Sequence, residues 1–229
     1  MMFDIMFISY QESNADHNWA MLKQRFGFAQ RVHGVKGIHE AHKQAANRSI
    51  TKMFWVVDAD AVIEPDFDFK FVPKLYHLQA VHVWRSRNPV NNLEYGYGGV
   101  KLLPKRKTMQ MNMDSTDMTS SISDWFIPMP QISNVTAFNT DAFSAWKSAF
   151  RECVKLSSKI IDRQNDVETE KRLHIWCNEG KEKPFGRQTI QGAVLGRQYG
   201  EQHRVNPTAL KKINDFAWLQ AQFESSTHD

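Results

Sequence analysis

From Met53 to Ile63 the chain reads Met-Phe-Trp-Val-Val-Asp-Ala-Asp-Ala-Val-Ile, five apolar side chains followed by two carboxylates with one alanine between them. So short an apolar run, bounded by polar residues and rich in aromatic and β-branched types, predicts a strand buried on both faces. Acids at the carboxyl end of such a strand stand where α/β folds hold their ligands. Two hard oxygen donors there suit a divalent metal, and through it a phosphorylated ligand. The same Asp-x-Asp pattern also occurs in plain strand-end turns, where one Asp caps the next element. The surrounding chain decides between the two.

Phe3 to Tyr10 predicts a first buried strand that breaks into the polar turn Gln11 to Asp16. Asn14 or Asp16 offers a cap to a helix carrying Trp19, Leu22 and Phe26 at helical spacing, and Gly27 ends it. Phe28 to Gly34 predicts a second strand, and the segment from Val35 turns into a helix running to about Ser49. Strand, helix, strand, helix, strand is the order that builds a parallel sheet, with Asp58 and Asp60 at the end of its third strand.

Further on, a loop with a short helix is expected between Pro65 and Pro73, and Ala80 to Ser86 alternates like a strand. Leu93 to Pro104 reads as extended, with Gly96, Gly98 and Gly99 marking a bulge or a close backbone approach. Met109 to Ser123 has little periodicity and predicts a mobile loop or lid. Asn139 to Asp141 offers caps to a long amphipathic helix with Phe143, Trp146, Phe150, Cys153, Val154, Ile160 and Ile161 on its apolar side. Its exposed side would carry Lys147, Arg151, Lys155 and Lys159. Glu168 to Trp176 and Pro207 to Phe223 read as helical, while Gly180 to Gly200 alternates Arg, Gln and small residues. No Pro/Gly/Ser-rich linker divides the 229 residues, so a single domain is expected.

Composition narrows the classes. With 41% hydrophobic and 24% charged residues the chain is an ordinary globular one, and no stretch nears twenty consecutive apolar residues. No membrane association is expected, and without a signal-peptide pattern a cytoplasmic location is the expectation. Cys153 and Cys177 lack CxxC spacing and read as reduced thiols. A net charge of +4 tilts toward an anionic partner. The glycines at 96, 98 and 99 lack the Gly-Lys-Ser/Thr ending of a phosphate loop, and His39-Glu40-Ala41-His42 lacks the spacing of a zinc helix.

Cations beside aromatic and amide groups, in Trp84-Arg85-Ser86-Arg87-Asn88, Lys101, Lys105-Arg106-Lys107, the Lys147, Arg151 ridge and Arg187, Arg197 and Arg204, suit a grip on DNA phosphates. A solvated surface of mixed charge reads equally well from the same residues.

The order ending in Val57-Asp58-Ala59-Asp60 resembles the nucleotide-sugar-binding half of a GT-A fold glycosyltransferase with its DxD motif, over about residues 3 to 103. More narrowly, Arg31 to Gly37, Phe54 to Asp60 and Tyr95 to Leu102 resemble phage-encoded proteins related to T-even DNA glycosyltransferases, some of which attach a sugar such as arabinose to hydroxymethylcytosine. The resemblance implies an α/β, GT-A-like mixed sheet flanked by helices. About 1–103 would bind the donor and about 104–229 the acceptor. It implies a donor such as a UDP-sugar, Mn2+ or Mg2+, a DNA acceptor and a host-cytoplasmic setting. Ser9, Tyr10 and Glu12 would lie along base and ribose, and Lys36, Gly37, His39 and Lys43 would complete the pocket. Asp58 would sit near ribose or metal, and Asp60 would coordinate the metal. His174 and His203 are the candidates for a third ligand. The chain departs from the simplest members in lacking a clear Glu-Asp pair for the base, leaving Asp124 and Glu179 as the available carboxylates. Nucleotidyl transfer on the same fold and a non-catalytic DNA-binding protein are the alternatives.

Overall fold

A computed structural model describes residues 2–96, 98–113, 118–159 and 165–226. The chain falls into two compact units, one of residues 1–88 and 94–137, the other of 89–93 and 138–229.

The first unit is a mixed sheet with helices on its faces. β1 (Asp4–Ser9), β2 (Gln30–His33) and β3 (Met53–Asp58) form as their apolar runs predict, with α1 (Ala15–Arg25) and α2 (Ile38–Arg48) as the crossovers. β4 (Ala61–Ile63), β5 (Val81–Arg87), β6 (Glu94–Tyr95), β7 (Val100–Pro104) and β8 (Phe126–Thr136) follow, with the short helices α3 (Lys105–Met109) and α4 (Met118–Ile122) between β7 and β8. The strand order is β2-β1-β3-β7-β5-β8-β4, with β6 beside β5. β1 runs parallel to β2 and β3, whereas β7 is inserted antiparallel between β3 and β5. β5 therefore points the same way as β3, and β8 is parallel to β5.

Alternation along each strand sends side chains to two cores. Ile5, Phe7, Trp55, Val57, Trp84 and Leu102 pack on the α1 face, joined by Phe67 and Phe69. Met6, Val32, Phe54, Val56, Val83 and Leu103 pack on the α2 face with Ala45 and Ala46. Between Pro65 and Pro73 no helix forms, and a single 3-10 turn follows at Leu75–His77. The expected lid over Met109 to Ser123 is corrected at both described ends, because Met111, Met118 and Ile122 are buried in the α2-face core. Residues 114–117 of that segment lie outside the described residues, as do Tyr97, Ile160 and Ile161.

The second unit is helical, with α5 (Ala142–Ser158), α6 (Asp166–Asn178), α7 (Gly186–Gln202), α8 (Pro207–Lys211) and α9 (Phe216–Ser226). Asp141 caps α5, its carboxylate accepting from the Ser144 amide at 2.8 Å. The Gly-punctuated stretch after Gly180 is a seventeen-residue helix. Gly192, Gly196 and Gly200 recur every fourth position on one side of α7, where a methyl group would run into the backbone of Trp146, Phe150 and Val154 on α5. They mark close helix packing and not breaks in a loop. The cationic ridge on α5 is not an open one: Lys147 lies over the Phe143 and Phe216 rings, Arg151 donates to Asn214, and Lys159 pairs with Asp166. Among the described residues no helix is long and apolar enough to cross a membrane.

Candidate functional site

The two aspartates stand on a turn tied down at each of its three residues. The Asp58 amide, still in the β3 ladder, donates to the Gly99 carbonyl at 2.9 Å. The Ala59 carbonyl accepts from the buried Asn18 amide of α1 at 2.8 Å, and the Asp60 carbonyl accepts from the Ala137 amide at 2.7 Å. Asn14, one of the two residues expected to cap α1, instead donates its side-chain amide to the Ala137 carbonyl. Behind Gly99 lies a buried polar network. Asn134 binds Thr136 and Ser133, and Ser86 binds Thr136. A side chain at Gly99 would strike Asn134 at 2.8 Å, so the close approach expected of these glycines is real at this one.

The carboxylates have unlike surroundings. Lys101 on β7 lies opposite Val56 and Val83 in register and points to the same face as Asp58. Its Nζ meets Asp58 Oδ1 and Oδ2 at 2.9 and 2.8 Å and also donates to the Gly98 carbonyl. Asp60 has no salt bridge among the described residues. Burial, then the charges of Asp58 and Glu12, push its carboxyl up to about 7, against a smaller opposing pull from Lys101. Part of Asp60 remains open to solvent. Crowded acids, one of them unclaimed by a cation, are a donor set that fits a hard divalent metal completed by phosphate and water oxygens.

Around them the first unit gathers most of the residues expected for the donor. Ser9 ends β1, its Oγ 2.9 Å from His33 Nδ1 and 2.8 Å from Arg31 Nε. Half-buried Tyr10 begins the following turn, which Glu12 closes by accepting from the Tyr10 amide at 2.7 Å. Exposed Lys36 precedes α2, Gly37 starts it with a φ of 94° that favours glycine, and His39 and Lys43 lie in its first turns. His42, which the sequence reading set aside, is fully buried beside Lys101. Its Nδ1 binds the Ile38 carbonyl at 2.8 Å, and burial foremost holds the ring down to about 3, neutral at any ordinary pH.

Asp124 is not brought to this turn, and three other expected residues lie on the helices of the second unit. Asp124 is exposed just before β8, at the edge of the sheet where β5 and β8 begin, whereas the aspartates follow the end of β3. Glu179, His174 and His203 belong to the second unit, as C-cap of α6, an exposed position on α6 and C-cap of α7. Among the described residues no three His, Cys, Asp or Glu side chains are gathered to hold a metal by themselves.

The basic residues read as DNA contacts are largely engaged. Arg87 pairs with Glu64 and Glu94, Lys105 reaches the Ser49 carbonyl, Lys107 reaches Ser123, and Lys101 serves Asp58. Arg85 and Arg106 are exposed. Lys101, read from the sequence as a DNA contact, and Asn18 are the residues that hold this turn without having been assigned to it in sequence. The available signal was a single lysine in the apolar run Val100 to Leu103, which a buried strand tolerates only beside an acid.

No family model matches the chain, and no curated protein matches it. Among solved structures it is similar to a mannosyltransferase from Pyrobaculum calidifontis, determined in complex with GDP-mannose and Mn2+. The TM-score is 0.48 and the identity 12%, over 99% of this chain and 86% of that one. A likeness at that level fixes neither ligand nor reaction.

Proposed function

We propose that this chain is a metal-dependent glycosyltransferase of GT-A type, moving a sugar from a nucleoside diphosphate sugar to a hydroxyl group. The observation that carries the reading is the turn Asp58-Ala59-Asp60, held at the end of β3 with Asp60 unclaimed by a cation and Glu12 nearby. Parallel strands β2, β1 and β3 bring the Ser9 to Glu12 turn and the start of α2 to the same edge of the sheet, which supports a nucleotide there. A divalent cation at Asp60 would stabilise the charge growing on the departing nucleoside diphosphate. Asp60 would anchor it, Asp58 would be turned toward the ribose, and the Ser9, Tyr10 and Glu12 turn would line base and sugar. The acceptor hydroxyl gives up its proton to a general base or to water as the new glycosidic bond forms and the nucleoside diphosphate leaves.

For the acceptor we propose 5-hydroxymethylcytosine in DNA. This finer reading is supported by the resemblance of the three segments quoted above, and by exposed Arg85 and Arg106. The test is incubation with hydroxymethylcytosine DNA, unmodified DNA and a panel of nucleoside diphosphate sugars, with Mn2+ or EDTA. Expected are a nucleoside diphosphate as product, dependence on the metal, and loss of transfer in Asp60→Asn. Pyrophosphate as product, or full transfer by the variant, overturns the reading.

A further inference from the structure

The two aspartates of the motif are unequal before any metal arrives, and the inequality is set by one lysine. Lys101 is almost wholly buried, with 4% of its side chain exposed against 35% for Asp58. Its three donors are all committed, to both Asp58 oxygens and to Gly98. The neighbouring His42 is buried and neutral, so it adds no second cation beside the ammonium. Asp58 is thus held at both ends of the same turn, its amide on Gly99 and its carboxylate through Lys101 on Gly98. A cation drawing on Asp58 would have to share the carboxylate with an ammonium about 3 Å away. Like charges that close oppose each other.

We propose that Lys101 is a positioning residue that withholds Asp58 from the metal, leaving Asp60 the anchoring carboxylate and Asp58 held toward the sugar of the nucleotide. The inference rests on the metal-dependent reading above and adds to it an asymmetry set by this chain's own lysine. Removing any nearby ammonium relieves some repulsion of the metal. A withholding lysine predicts a further gain that depends on Asp58, because its removal gives the metal a second carboxylate.

The experiment measures free Mn2+ by electron paramagnetic resonance, with and without UDP, in the wild type, Asp58→Asn, Asp60→Asn, Lys101→Met and the double variant Lys101→Met with Asp58→Asn. Expected in the nucleotide-free protein are a loss of at least about tenfold in Asp60→Asn and a change under about threefold in Asp58→Asn. Lys101→Met should tighten Mn2+ by about fivefold or more, and the added Asp58→Asn should remove that gain. Lys101→Arg, which keeps the cation, should behave like the wild type. Equal losses in Asp58→Asn and Asp60→Asn, or a folded Lys101→Met that binds Mn2+ no tighter, overturn the inference alone. No Mn2+ binding by the wild type, with or without UDP, overturns the metal-dependent reading and the inference with it. If Lys101→Met does not fold, the Asp58→Asn against Asp60→Asn comparison decides by itself.

Discussion

Replacing Gly196 by alanine tests the packing of α7 on α5 with a sign opposite to helix propensity. Alanine is the better helix former, by about 1 kcal/mol. Against this, the added methyl would lie 2.8 Å from the Phe150 Cα and 2.9 Å from its carbonyl carbon, and closer still to its oxygen. Carbon atoms rest at about 3.5–4.0 Å, so α5 and α7 would have to part by roughly 0.7 Å or more. Both sides of the contact are backbone, so no rotamer relieves it. Overpacking typically costs about 1–3 kcal/mol, and a shift of two helices belongs at the upper end of that range, leaving a net loss of about 2 kcal/mol after the propensity gain. The assay is urea unfolding followed by far-UV circular dichroism, where such a loss moves the midpoint down by about 1 M. Gly27→Ala is the control, since nothing lies within 4 Å of a Cβ built there. A Gly196→Ala midpoint equal to or above that of the control would refute the close approach of the two helices.

Three further outcomes are expected. In metal-free buffer Asp60→Asn stabilises the protein near pH 8: ionising this raised carboxyl costs folding energy, so wild-type stability falls between about pH 4 and pH 7 and the variant's curve lacks that fall. Thermal melts across that range check it. Asp4→Ala costs about 2 kcal/mol, because its carboxylate accepts from Ser49, Ile50 and Thr51 at the start of β1. Burial opposes ionisation there but those bonds outweigh it and hold the carboxyl below its usual range, so the stabilisation present above about pH 4 is lost as pH falls, readable by acid titration of wild type and variant. Asp141→Ala removes the α5 cap and costs about 1 kcal/mol, seen in denaturant melts.

The sequence made β1, β2 and β3 legible because each is a short apolar run between polar turns, and a doubly buried strand leaves few other options. β8 escaped because Pro128 and Pro130 argue against a strand. The structure tolerates them since β4 pairs only with residues 134–136, leaving 126–132 with a neighbour on one side, and the register with β5 shifts around Arg85. α7 escaped because glycine reads as a helix breaker, when its fourfold spacing here marks one tightly packed side. In the candidate site Asp58 and Asp60 could be read from their strand. That Asp58 is spoken for could not, since Lys101 lies forty-three residues further on and meets it only through the antiparallel insertion of β7.

The tethers of the Asp58 to Asp60 turn also bear on how this region opens. A surface turn ordinarily exchanges its amide hydrogens by local fluctuation, independent of the sheet behind it. Here α1, the β7 lead-in and the end of β8 each hold one residue, so freeing the turn means undocking three elements that are far apart in sequence. The amides of Asp58 and Ala137, bonded to Gly99 and Asp60, should therefore exchange with the protection of the central strands. Weakening α1 at Asn18, in a helix well away in the chain, should release both together.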